Sequence, residues 1–233
     1  MKNIVESLKE AINEAVNESV SDSRIDNFTA TYGKSISGNG RFDDFHKDYQ
    51  DKTSIEINLG NFNLTNYDGL FEGMSNLKEI KFVGKSIDGG KETIVPKSCT
   101  SMFAGCSSLE TVSGVINLEE CTNLTDMFKG CKKLKNIKLW GIQGENLISK
   151  DDGLNLQDCT MLDKKSIEYM IINISEDYGG DWKKFTIARR PLEKYLGEKY
   201  VDPDTEDEEE YMETESWSFY NFMDEAGWEL VVK

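Results

Sequence analysis

Three segments decide the reading of this chain: LFEGMSNLKEI over 70–80, MFAGCSSLETV over 102–112 and MFKGCKKLKNI over 127–137. They align without gaps on the pattern [LM]-F-x-G-[CM]-x-x-L-x-x-[IV], and their phenylalanines fall 32 and 25 residues apart. A second phrase, INLEECTNLTD from Ile116 and LNLQDCTMLDK from Leu154, also repeats and extends the array. Self-similarity at a period of roughly 20–50 residues marks stacked repeats, because one such unit cannot bury its own apolar side chains and covers them against the next.

Each repeat carries a short alternating stretch: Ile55 to Leu59, Ile80 to Phe82, Ile116 to Leu118, Ile137 to Leu139 and Leu154 to Leu156. Alternation this brief predicts a short strand with one buried face. One strand and one short helical turn per coil predict a solenoid whose strands form a parallel sheet over a continuous core. In that arrangement Phe71, Phe103 and Phe128 plug the interior from the turn opposite the strand, and Leu77, Leu109 and Leu134 start the inward row. Gly73, Gly105 and Gly130 end the turn, where φ is positive. Cys106 and Cys131 share their position with Met74, which points to packing rather than sulfur chemistry.

Outside the repeats, Ile4, Val5, Leu8, Ala11, Ile12, Ala15 and Val16 recur at helical spacing and predict an amphipathic helix over 1–20. Residues 21–53 read as a polar connector, a tether with at most a short element near Phe42 to Tyr49. The repeat solenoid is placed at 54–163 and C-terminal capping coils at 164–233. In the latter, Asp163 is a predicted N-cap for a helix from about Lys164 to Ser175. A turn at Asp177 to Gly180, a strand at Phe185 to Ile187 and a helix opened by Pro191 follow. A last helix from about Ser216 to Ala226 stops at Gly227, and Trp228 to Val232 reads as the closing strand. Between the last two helices, 202–215 holds nine acids and no base, which predicts a solvated acidic loop. It lacks the carboxylate spacing of a calcium loop.

Charge and composition exclude several classes. With 27 Lys and Arg against 43 Asp and Glu, the net charge of −16 argues against a nucleic-acid partner. At 38% hydrophobic residues the chain has enough for a core and is not of the disordered kind. No apolar run nears the roughly 18 residues of a membrane span. Glu6, Glu10 and Glu14 stand where a signal peptide keeps its apolar stretch, so Sec export is not expected. His46 is the only histidine, which removes histidine-based triads and His-rich metal sites. Five cysteines without a C-x-x-C pair argue against a zinc site or a disulfide framework, and no cofactor is implied.

The repeated MF-x-G-C-x-x-L-x-x-[IV] resembles the BspA-like leucine-rich repeats of bacterial surface proteins and of related structural proteins of tailed bacteriophages. The ending, LDKKSIEYMIINI at 162–174 and DEAGWELVV at 224–232, is similar to members of the same group, so that the resemblance covers roughly 54–233. It implies an α/β fold: a short right-handed leucine-rich-repeat-like solenoid with a parallel sheet of short strands, an N-terminal amphipathic helix and a helical C-terminal cap. It also implies a non-catalytic protein for adhesion or assembly. The low repeat count, the irregular coil length and the lack of an export signal depart from the surface members, and the short amphipathic start is similar to leaders of some phage virion proteins. The expectation is a virion-associated component, made in the bacterial cytoplasm, that binds other virion proteins or a host surface protein or glycan; a bacterial cell-surface adhesion protein is the alternative.

The residues pointing outward between the buried ones give a candidate partner-binding row: Glu56, Asn58, Lys81, Asn117, Lys138, Asn155, Thr186 and Glu229, with Trp140 at its edge. The bland alternative is a solvated polar face. The sparse Arg and Lys favour a protein or glycan partner over a phosphate. Ile4, Leu8, Ile12 and Val16 form a candidate docking stripe, for which capping of the first coil and oligomerisation are the competing readings. The cysteines read as buried thiols, although Cys106 and Cys131 on neighbouring coils come within reach of a disulfide. Asp151, Asp152 and Asp158 with Glu120 supply the remote alternative of a carboxylate-based hydrolase.

Overall fold

A computed structural model of the chain describes residues 24–25, 48–58, 66–83, 86–87, 91–143, 147, 153–174, 183–201 and 214–233. The expected N-terminal helix with Ile4, Leu8, Ile12 and Val16, most of the connector, the turn at 177–180 and nearly all of the acidic loop lie outside the described residues. Asp151 and Asp152 do as well.

Among the described residues the chain is α/β, built from parallel sheets of short strands with three helices toward its end, and no barrel closes. The strands are β1 (Arg24–Ile25), β2 (Ser54–Asn58), β3 (Glu79–Val83), β4 (Ser86–Ile87), β5 (Lys91–Ile94), β6 (Thr111–Ser113), β7 (Val115–Asn117), β8 (Leu139–Trp140), β9 (Gly153–Leu156), β10 (Lys183–Ile187) and β11 (Trp228–Val232). The helices are α1 (Lys164–Ile172), α2 (Arg189–Leu196) and α3 (Glu215–Glu225).

The repeat signature folds as a run of three-residue turns, a tighter device than the single helical turn expected. In the first repeat Leu70 N donates to Tyr67 O, Met74 N to Phe71 O and Leu77 N to Met74 O. The second and third repeat the run through Cys99, Met102, Phe103, Cys106 and Leu109 and through Leu124, Met127, Phe128, Cys131 and Leu134. Each turn returns an apolar side chain inward, so all of these residues are buried. The turns need positive φ at two places. One is the signature glycine, with φ of 78°, 77° and 79° at Gly73, Gly105 and Gly130. The other lies two residues before the phenylalanine and is held by Gly69, Ser101 and Asp126, at 63°, 54° and 56°. A serine and an aspartate there hide the requirement from a sequence reading.

Successive repeats then stack through their backbones. Gly69, Phe71 and Gly73 donate to Thr100, Met102 and Ala104, while Ser101, Phe103 and Gly105 donate to Thr125, Met127 and Lys129, at 2.7–3.0 Å. The stack aligns the rings: Phe71 and Phe103 lie 5.6 Å apart and 1° from parallel, Phe103 and Phe128 5.6 Å apart and 15° from parallel. Spacing and near-parallel planes suit offset ring stacking, which adds to the burial of the rings.

Three ladders flank these turns, where one sheet was expected. The first runs β1-β2-β3-β6 and ends on a bridge from Thr111 to Asn136. The second runs β4-β5-β7-β8, parallel except for the β4–β5 hairpin. The third is a series of single bridges, Asn66 to Ser98 to Asn123. Thr111–Ser113 and Val115–Asn117 thus belong to two different ladders, separated by Gly114 at φ 102°. The β4–β5 hairpin also explains the uneven period. Thr93 follows Ile80 by thirteen positions, whereas their ladder partners Val112 and Val115 lie three apart. β1 corrects the reading of 21–53 as a mere tether, since Arg24 and Ile25 pair with Glu56 and Ile57. A two-residue strand has no periodicity by which a sequence could announce it.

The second repeated phrase aligns differently in space than in sequence. Lys78 N donates to Thr53 O, Glu110 N to Lys78 O, Lys135 N to Glu110 O and Asp163 N to Lys135 O. Asp163 therefore stands beside Lys135, which puts Cys159 in the column of Met74, Cys106 and Cys131 rather than beside Cys121. Both phrases build the same local turn, Cys121 N donating to Leu118 O and Cys159 N to Leu156 O, so they look alike while opening one coil and ending another.

At Asp163 a helix replaces the strand. The Asp163 carboxylate accepts Ser166 N at 2.7 Å and caps α1. Ser166 Oγ donates to Lys135 O and accepts Ile137 N, both at 3.1 Å, and so satisfies the last repeat's backbone. Beyond it, β9, β10 and β11 form a parallel sheet in the order β11-β10-β9, with α1 between the first two strands and α2 and α3 before the last. Phe185, Ile187 and Trp228 bury its inner side.

Candidate binding face

The structure divides the expected single row among the three sheets. Glu56, Asn58 and Lys81 lie on the first ladder, where Glu56 pairs with Lys81 and Asn58 with Val83. Asn117 and Trp140 are partners on the second. Asn155 and Thr186 are partners on the C-terminal sheet, where Glu229 stands beside Lys184 instead. Alternation tells inward from outward along a strand but does not say which sheet the strand joins, and this is why the row came apart.

Several of these side chains are already engaged. Glu56 is only 6% exposed and accepts a hydrogen bond from Lys81 Nζ at 2.9 Å. Asn117 and Asn155 turn their Oδ1 atoms back onto Glu119 N and Gln157 N, at 2.9 and 3.1 Å, and so start the following turns. Thr186 is buried, while Trp140 is half-buried and Glu229 exposed.

Lys135 Nζ donates to Glu110 at 2.6 Å, and that hydrogen bond with the lysine charge holds the Glu110 carboxyl below its ordinary value of 4.5. A carboxyl lowered in the folded state stabilises the fold above its unfolded value, and that contribution fades as the pH falls through the folded one. Glu110→Gln is therefore expected to lower Tm slightly at neutral pH and to match the parent once the pH has fallen below the folded value of Glu110, where both carry a neutral side chain. Thermal melts of the two proteins across the acid range check this; a gap that stays constant down to that pH would overturn it.

All five cysteines are buried and free of disulfides. Cys106 Sγ donates to Phe71 O at 3.0 Å and Cys131 Sγ to Phe103 O at 3.1 Å, each thiol reaching back to the preceding repeat. Burial, then the nearby Asp158 carboxylate, pushes the Cys131 thiol up to about 12, and burial pushes Cys106 and Cys159 up as well. Thiols held in the protonated form are poor nucleophiles and poor metal ligands. Among the described residues no three of His, Cys, Asp and Glu come together as a metal site, and no helix is long and apolar enough to cross a membrane.

Asp158 and Glu120, two of the acids considered for hydrolysis, have other partners. Asp158 Oδ2 accepts Gly130 N at 2.7 Å, taking the place that a backbone carbonyl takes for Gly73 and Gly105. Glu120 pairs with Lys97 at 3.6 Å on the surface.

What the sequence reading missed is a cavity of about 260 Å³ where the first ladder ends against α1. Thr111, Ser113, Asn136, Lys138 and Lys165 line it, together with Ser166. The first four flank the inward Val112 and Ile137 that close the second and third signatures, so their outward direction was legible. That Lys165 comes to the same place follows from Asp163 turning the chain into α1, which no spacing announces. No family model, curated protein or solved structure matches this chain.

Proposed function

We propose that this protein is a short solenoid that works without catalysis, as a protein-binding or structural component. The observation that carries this reading is the in-register stacking of the repeats, with turns bonded backbone to backbone and Phe71, Phe103 and Phe128 aligned inside. Such stacking holds outward side chains at fixed spacing on a surface whose core does not need to move, which is how repeat proteins present extended binding faces. The likeness of the Phe-Gly repeats to those of tailed-phage structural proteins makes a virus particle the first place assigned to it, with docking through Ile4, Leu8, Ile12 and Val16. Bacterial cell-surface adhesion is the second reading.

The test uses the full chain, because a fragment starting at residue 51 would lack β1 and its pairing with β2. The tagged parent and a variant carrying Leu8→Asp and Ile12→Asp are used to capture proteins from the native source, identified by mass spectrometry. Capsid or tail proteins held by the parent and lost by the variant, with Tm unchanged, are the expected result. Host surface proteins or glycans held equally by both would replace it with the adhesion reading. A variant that no longer melts cooperatively would make the N-terminal segment a cap and overturn docking through it.

A further inference from the structure

We propose that the cavity at the end of the first ladder binds an acidic sugar unit, with its carboxylate at Lys138 and Lys165 and its hydroxyls on Thr111, Ser113 and Asn136. The proposal rests on reading the repeat face as a binding face, and it names a ligand class for one place on it.

Charge is the first argument. In a chain of net charge −16, a lysine on this face is expected to have an acid beside it, and Lys81 and Lys135 do, at 2.9 and 2.6 Å. Lys138 and Lys165 line one cavity, and among the described residues neither is paired with a carboxylate. Lys138 Nζ instead lies 5.9 Å from the centre of the Tyr169 ring. Two of the neighbouring acids are committed elsewhere, Glu110 to Lys135 and Glu56 to Lys81, while Glu79 stands beside Thr111 on the ladder. Two like charges brought together without a counter-ion repel each other, and an anion between them relieves that repulsion.

The remaining lining selects among anions. A phosphate is best met by arginine forks or a nest of backbone N–H groups, and no arginine lines this cavity. Ammonium groups are point donors that suit a carboxylate equally well. The volume of about 260 Å³ holds several times the roughly 30 Å³ share of one water, which is room for a six-membered ring and its substituents rather than for a small anion alone. Two hydroxyls and an amide, each able to donate and accept, complement a polyhydroxyl ring. The opening to solvent lets the next sugar of a chain leave the site. Net negative charge on the protein does not forbid an acidic ligand, because at physiological salt the field of distant carboxylates is screened beyond about 8 Å.

The experiment titrates the full chain with methyl glucuronide, methyl glucoside and acetate, followed by NMR or calorimetry. The glucuronide is expected to bind at least tenfold more tightly than either control, and a variant carrying Lys138→Met and Lys165→Met, which keep the aliphatic stems, is expected to lose at least tenfold with Tm unchanged. Acetate binding as well as the glucuronide would overturn the sugar assignment. An affinity unchanged in the lysine variant, or no glucuronide binding at all, would overturn the site. Capturing proteins with the same lysine variant separates the two readings: capture that persists while the glucuronide fails to bind leaves the binding face standing and removes only this ligand.

Discussion

Phe103→Ala is expected to remove about 3–5 kcal/mol of folding stability, the usual cost of emptying a fully buried aromatic site. Phe103 is inaccessible to solvent, and its ring alone stacks on both neighbours, Phe71 on one side and Phe128 on the other. Both neighbours are held by backbone bonds on their own turns, Met74 N to Phe71 O and Cys131 N to Phe128 O, so the space left behind has little freedom to collapse. A loss of this size is a large share of the roughly 5–15 kcal/mol that typical domains possess. Urea denaturation of the full chain measures it as a fall in midpoint. Phe222→Ala is the internal comparison, since Phe222 is 41% exposed and its loss is expected to cost under about 1 kcal/mol. Equal effects at the two positions would mean that the ring column does not carry the core.

Gly153→Ala comes next in size, at about 3 kcal/mol or more, because overpacking and backbone strain act together there. A Cβ on Gly153 would sit 2.0 Å from Lys184 O and within 2.8 Å of two further backbone atoms of that residue, and φ is 151°. Lys184 is the registered partner of Gly153 on β10, so relief requires the strands to part where Leu154 and Phe185 bring the core together. Gly73→Ala separates the two causes. Its Cβ would meet nothing within 4 Å at φ of 78°, which leaves only the left-handed cost of about 1–2 kcal/mol. Chemical denaturation of both variants checks the ranking, and a Gly153→Ala protein as stable as Gly73→Ala would show that the two strands yield without loss.

Much of the repeat turn was legible because its demands are chemical and local. A buried residue every third position, a phenylalanine and a glycine at positive φ leave a pattern that survives without knowledge of neighbours. The C-terminal elements were legible for a similar reason: Asp163 caps α1 as its side chain predicts, and Trp228–Val232 is the closing strand. Ladder membership was not legible. Thr111–Ser113 and Val115–Asn117 are three residues each, and nothing in their alternation says that Gly114 sends them to different sheets. The expected row is divided among sheets for that reason. Asn117 and Asn155 add a second cause, since an asparagine that bonds its own backbone looks in sequence like one offered to a ligand. The lysine-lined cavity escaped because Lys138 and Lys165 belong to different elements, joined only by the turn at Asp163.

The β4–β5 hairpin sets where this architecture tolerates change. Its two strands pair with each other on one side, and only β5 continues into the stack. Added length between Ile87 and Lys91 is taken up before the chain rejoins the column at Thr93, so the phenylalanine rings and the turns that hold them keep their places. The same position offers an engineer a port for a grafted epitope or a reporter, displayed to one side of a scaffold that does not register its presence.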